Sequence, residues 1–96
     1  MTLIKDNIKV GDAMPEYRSA PITRSHLVRY AGASGDFNPL HHDETFARMI
    51  GMESVIAHGM LIMGIAGEAI VSWIEHKYLR KFQSRFLGMT EPVDWN

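Results

Sequence analysis

HGMLIMGIAGEAIVSWIEH, residues 58–76, decides how this chain folds. The stretch predicts one long helix over residues 59–76. On a helical wheel Glu68, Ser72 and Glu75 form one narrow polar stripe, while Met60, Ile62, Met63, Ala66, Ala69, Ile70, Trp73 and Ile74 fill most of the rest. A helix apolar around so much of its circumference must be covered by other elements on most sides. A membrane span is the wrong explanation: the apolar run of residues 55–67 is broken by Glu68, and a span needs about 20 apolar residues. Gly64 and Gly67 each weaken an isolated helix by about 1 kcal/mol relative to alanine. They fit a helix against which another backbone packs closely.

The flanking segments supply candidates for that cover. Residues 79–88 alternate, with Phe82, Ser84 and Phe86 on one face and Lys81, Gln83 and Arg85 on the other, the pattern of a half-buried strand. Residues 16–22, bounded by Pro15 and Pro21, read as a second strand. Thr23 or Ser25 caps a following helix that aligns Leu27, Tyr30 and Ala31 and ends at Gly32, Ser34 and Gly35. Residues 36–42 form a loop, because Asp, Asn and Pro all favour turns. Asp43 caps a second, short helix with Glu44 in its first turn, Phe46 and Ile50 on one side and Gly51 as its stop. A short extended piece, residues 54–57, leads to His58 and Gly59.

With 96 residues the chain is one domain, residues 1–96. A domain of this size buries only about 60–65% of its unfolded surface, so its core is marginal without help. A formal charge of −1 argues against a nucleic-acid or membrane-surface partner. The absence of cysteine excludes disulfides and thiolate metal sites and fits a cytoplasmic setting. Residues 1–10 carry Lys5, Asp6 and Lys9 and have none of the apolar core of a secretion signal.

Two clusters can carry chemistry. Asp36 and His41 share one loop, and a carboxylate and an imidazole that converge on one water can do general acid–base work. Such a pair also arises by chance in turns. His58-Gly59-Met60 opens the apolar helix, where free backbone N–H groups and a partial positive charge can stabilise an oxyanion. Gly59 lets a carbonyl approach the backbone, although a tight entry turn alone would also call for glycine. His58 reads as a loop-holding hydrogen-bond partner, Asn38 as a turn cap beside the site, and His42 as a surface residue. No histidine spacing matches a metal signature, so no metal is expected. The seven methionines read as core filler.

Together these pieces resemble a known family. Tyr30-Ala31-Gly32-Ala33-Ser34-Gly35-Asp36-Phe37-Asn38-Pro39-Leu40-His41 closely resembles the hydratase-2 signature of the MaoC-like dehydratases, which are (R)-specific enoyl-thioester hydratases and 3-hydroxyacyl-thioester dehydratases. Ile56-Ala57-His58-Gly59-Met60-Leu61 looks like that family's second motif, and the likeness covers roughly residues 8–92. Among relatives, the chain looks most like the catalytic subunit of the (3R)-hydroxyacyl-carrier-protein dehydratases. The resemblance implies an α+β hot-dog fold, an antiparallel sheet wrapped around the long helix, and dimers with another hot-dog chain, identical or related. It implies Asp36 and His41 as the catalytic pair, Asn38 as their support and Gly59 as the backbone donor to the thioester oxygen. His58 and Met60 flank that donor. The substrate is then an acyl-CoA or acyl-carrier-protein thioester, and no cofactor is implied.

Length departs from the family pattern. Full members continue for about three more strands beyond the one containing Phe82 and Phe86, so the expected sheet is C-terminally incomplete. Two functions follow: reversible hydration and dehydration of an enoyl or (3R)-hydroxyacyl thioester in fatty-acid metabolism, or a non-catalytic acyl-thioester-binding or assembly subunit that needs a partner chain.

Overall fold

The structure is a computed structural model and describes residues 8–94. Three α-helices organise it: α1 over Arg24–Ser34, α2 over Glu44–Met49 and α3 over Gly59–Trp73. Short 3-10 turns lie at Pro39–His41 and His76–Tyr78. Local chemistry sets the helix boundaries. Of the two candidate caps for α1, Thr23 is the one used: its Oγ1 accepts from the His26 N–H at 3.2 Å. Gly35 closes α1 in the left-handed conformation, φ 77°, with its N–H bonded to the Ala31 carbonyl, a geometry that favours glycine. Asp43 caps α2 by accepting from the Phe46 N–H at 3.1 Å.

One core joins these elements. Leu27 from α1, Ala47 from α2, Val55 and Ala57 from the intervening segment and Leu61 from α3 are buried together. Ile22, Tyr30, Leu40, Met52, Ile62 and Ile65 pack around them. Arg24, in the first turn of α1, ties the periphery down. Its guanidinium donates to Glu44 of α2 at 2.5 Å and to the Asp94 carbonyl at 2.6 Å.

Three expectations need correction. The long helix ends at Trp73 rather than His76, because Ile74 turns extended and the 3-10 turn follows. No β-strand pairing occurs among the described residues, so residues 16–22 and 79–88 do not form a sheet within this chain. A strand exists through hydrogen bonds to a neighbouring strand, and the long-range backbone bonds among the described residues are isolated ones: Ile56 N–H to the Leu40 carbonyl at 3.2 Å, Ala57 N–H to the Thr90 carbonyl at 2.7 Å and Val93 N–H to the Ile22 carbonyl at 2.9 Å. Nor is α3 covered on most sides, since only Leu61 and Ala69 are buried along it.

Residues 79–88 nevertheless do part of the covering expected of them. A methyl group placed on Gly67 would meet the Phe82 ring at 3.3 Å, and one on Gly59 would meet the Phe86 ring at 3.5 Å. The spacing explains both contacts. Eight helical residues from Gly59 to Gly67 advance about 12 Å, and four extended residues from Phe82 to Phe86 advance about 13 Å. The segment therefore runs antiparallel along α3 and drops one aromatic ring on each glycine. The close approach expected at the glycines is a side chain's at Gly67, and nothing comes within 4 Å at Gly64.

The radius of gyration, 16.2 Å, exceeds the about 12.5 Å of a compact domain of this length. Phe86, Leu87, Met89 and Val93 are all exposed.

Leu27 is fully buried at the centre of this core. Leu27→Ala should cost about 2–5 kcal/mol, read as a lower urea midpoint in circular dichroism. A change below about 1 kcal/mol would place the core elsewhere.

Candidate active site

The loop after α1 is built around its own backbone. Asp36 Oδ1 accepts from the Asn38 N–H at 3.3 Å, and Asn38 Oδ1 accepts from the Leu40 N–H at 3.0 Å. These paired turns lead the chain into the Pro39–His41 turn and deliver the His41 imidazole inward, with its side chain 11% exposed. The Ile56 N–H donates to the Leu40 carbonyl at 3.2 Å, which fastens the loop to the segment before α3. The Asn38 side chain thus caps the turn, and its backbone N–H orients the Asp36 carboxylate.

His41 Nδ1 lies 2.7 Å from the Ile56 carbonyl oxygen. A carbonyl only accepts, so Nδ1 carries the proton and Nε2 presents a lone pair in neutral His41. That Nε2 is 3.9 Å from Asp36 Oδ2. Two acceptors at this separation can share one water that donates a hydrogen to each.

His58 sits behind them, 1% exposed. Its ring stacks on His41 with centroids 3.8 Å apart and planes 22° from parallel. On another side the Tyr30 ring meets it edge-on at 4.7 Å. His58 Nε2 donates to the Asp36 carbonyl at 3.2 Å, while its buried Nδ1 has no hydrogen-bond partner among the described residues. Burial pushes the His58 imidazole below its ordinary value of 6.5. The hydrogen bond to the Asp36 carbonyl opposes that shift, and neighbouring His41 adds to it.

Gly59 begins α3, whose N-terminus has no side-chain cap. The first intrahelical donors are Leu61 and Ile62, both to the His58 carbonyl, which leaves the Gly59 and Met60 amides at the open end of the helix. A pocket of about 230 Å³ lies at that end, lined by His41, Ile56, Ala57, Gly59, Ile62, Phe86, Gly88, Met89 and Thr90. His41 and Gly59 thus share one largely apolar cleft. The Met60 side chain is exposed, and Ile62 is the α3 side chain that lines the cleft. His42 is exposed, with Nε2 3.3 Å from the Phe37 carbonyl, away from the pair.

Asp36, His41 and His58 also offer metal-ligand atoms within 4.8 Å of one another. Their geometry suits an ion poorly. His41 Nδ1 and His58 Nε2 are committed to carbonyls, and stacked imidazoles aim their lone pairs along separate planes. An ion held at about 2.0–2.1 Å in the plane of one ring lies out of the plane of the other.

Asp36, His41, His58 and Gly59 thus lie close together with Asn38 in the turn between Asp36 and His41, while the Met60 side chain points to solvent. Three partners carried no signal for the roles they take. Ile56 acts through its backbone carbonyl and Tyr30 through its ring edge, although both open a motif, and Phe86 stood out only as a member of a strand face.

The chain belongs to the MaoC-like domain family, whose model matches residues 7–95. Over 58 residues it is 41% identical to the mitochondrial 3-hydroxyacyl-[acyl-carrier-protein] dehydratase of Arabidopsis thaliana, covering 60% of this chain and 34% of that protein. Over 62 residues it is 36% identical to the peroxisomal enoyl-CoA hydratase 2 of the same plant, covering 62% of this chain and 20% of that one. The peroxisomal hydratase-dehydrogenase-epimerase of Neurospora crassa is 39% identical over 59 residues, which make up 62% of this chain and 6% of that protein. A solved structure of a MaoC-like dehydratase superposes with a TM-score of 0.67 at 46% identity, covering 71% of this chain and 21% of that chain. The chain thus spans about a third or less of the length of these relatives. The family and the structural likeness indicate a hot-dog fold. No helix among the described residues is long and apolar enough to cross a membrane.

His58 also gives the fold a pH dependence. With its folded value below 6.5, the unfolded chain takes up a proton before the folded one does as pH falls. Its contribution to stability is therefore intact above that value and is lost as pH drops below it. Urea unfolding at stepped pH should show stability falling below about pH 6.5, with a shallower slope in His58→Gln. Equal slopes in the two proteins would contradict a buried, neutral His58.

Proposed function

We propose that this chain carries the site of an enoyl-thioester hydratase, running in reverse as a 3-hydroxyacyl-thioester dehydratase in fatty-acid metabolism. The observation that carries the reading is the placement of His41 and Gly59 on one cleft, with Asp36 3.9 Å from the His41 base nitrogen. The thioester carbonyl lies at the open end of α3, where the Gly59 amide, the neighbouring Met60 amide and the helix dipole polarise it. C3 of the enoyl group becomes electrophilic. A water held between Asp36 and His41 Nε2 attacks C3 and gives up a proton to the pair. A proton is then delivered from the site to C2, which yields the (3R)-hydroxyacyl thioester. Dehydration reverses each step.

The acyl portion rests against Ile62, Phe86 and Met89, and the thioester leads to CoA or a carrier protein. Packing supports a chemical reason for Gly59. A methyl group there meets only the Phe86 ring at ordinary contact distance, so the fold itself does not demand glycine. The methyl would instead occupy the cleft where the carbonyl approaches.

The exposed apolar side chains of residues 86–93 and the unpaired extended segments favour assembly with a second hot-dog chain, identical or related, that supplies neighbouring strands. The same observation supports the second reading, a binding or assembly subunit without turnover. The lack of cysteine supports a reducing compartment such as the cytoplasm.

Loss of the ultraviolet absorbance of crotonyl-CoA tests the first reading. Asp36→Ala and His41→Ala should each lower the rate by about 10²–10⁴-fold while keeping the helical circular dichroism spectrum. Equal background rates in wild type and Asp36→Ala would leave only the binding reading. Gly59→Ala should keep wild-type thermal stability and lose turnover. Full activity in that variant would remove the backbone amide from the mechanism.

A further inference from the structure

The structure assigns His58 a positioning role: its ring, stacked on His41 and bonded to the Asp36 carbonyl, holds His41 in the Nδ1–H tautomer that leaves Nε2 free to take a proton. This inference rests on the hydratase reading for its kinetic consequence, though not for its structural one.

Four contacts carry it. The His41–His58 centroid distance is 3.8 Å, and the Tyr30 edge contact at 4.7 Å fixes His58 from α1. The Nε2 bond to Asp36 joins His58 to the other member of the catalytic pair. Near-complete burial leaves the His58 ring no alternative site. A histidine side chain in water favours the Nε2–H tautomer, which would put a hydrogen where this site needs a lone pair. The Ile56 carbonyl selects the other tautomer only while the His41 ring stays in register with it, at 2.7 Å. A flat ring stacked on one face supplies that restraint.

His58 must also be uncharged to do this. Two stacked imidazolium ions would repel, and His41 becomes imidazolium each time it accepts a proton. The titratable groups facing His41 are Asp36 from the loop after α1 and His58 from the segment before α3, while neighbouring His42 turns to the Phe37 carbonyl. Tyr30 of α1 meets the His58 ring edge-on. Burial lowers the His58 imidazole and so favours its neutral form. Its partnerless Nδ1 accords with that, since a protonated Nδ1 would be a buried unpaired donor.

Two substitutions separate stacking from hydrogen bonding. His58→Phe keeps a flat ring and loses the bond to Asp36, whereas His58→Gln keeps an N–H and loses the ring. Nitrogen-15 correlation spectra of the imidazoles in the full chain, recorded where His41 is neutral, report the tautomer directly. Wild type and His58→Phe should show His41 as Nδ1–H, and His58→Gln a mixture of both forms. With crotonyl-CoA, His58→Gln should lower kcat about tenfold or more with KM within about twofold, and His58→Phe, which keeps the stacked ring, should lower it less. If His58→Gln does not fold, Tyr30→Leu removes the edge contact and should loosen the tautomer in the same direction. An unchanged His41 tautomer in a folded His58→Gln or Tyr30→Leu chain overturns the inference, as does equal impairment of His58→Phe and His58→Gln. Because the tautomer is read without turnover, an inactive wild type would count against the hydratase reading alone.

Discussion

The apolar circumference of α3 is the constraint from which the rest of the arrangement follows. A helix carrying Leu61, Ile62, Ile65, Ala69 and Ile70 cannot stand in water, so the chain brings its other segments to it. Residues 79–88 run back along it with Phe82 on Gly67 and Phe86 on Gly59. The same act of covering builds the cleft: Phe86 lines it together with His41, and Gly59 at the head of α3 lines it too. Leu61, at that end of the helix, anchors the core that also holds α1 and α2. Site and core thus share a boundary, and the head of α3 lies on it.

On the other side of the boundary is a layer of three rings. Tyr30 from α1, His58 before α3 and His41 in the connecting loop touch in sequence, and two carbonyl groups, those of Asp36 and Ile56, hold the two imidazoles in opposite tautomers. A buried histidine without charge is costly to protonate and therefore a stable platform. An imidazole with one nitrogen committed to a carbonyl has the other available for chemistry. These are two consequences of burial and hydrogen bonding acting on the same side-chain type seventeen residues apart.

Legibility in the sequence followed the range of the interactions. Thr23, Gly35 and Asp43 act on amides within four residues of themselves, so their places at helix ends could be read directly. The loop character of residues 36–42 was legible for the same reason, through the Asp36 and Asn38 turns. Strands were not: the alternation of residues 79–88 is real and decides which face meets α3, yet pairing needs a neighbour, and the described residues supply none. The end of α3 at Trp73 was likewise hidden, because Ile74 and Glu75 are compatible with a helix. In the site, Asp36, His41 and Gly59 were legible as motif residues. The stack on His58 and the bond from Ile56 were not, since each depends on bringing the segment at 56–58 against the loop at 36–41.

The central claim is that Asp36, His41 and the head of α3 add water to a thioester-conjugated double bond from one face. Crotonyl-CoA incubated with the chain in oxygen-18 water, followed by chiral analysis and mass spectrometry of the product, tests it most directly. The account predicts (3R)-hydroxybutyryl-CoA as the single stereoisomer, with the heavy oxygen at C3. A racemic product, or no product from a folded chain shown to bind the thioester, would contradict it.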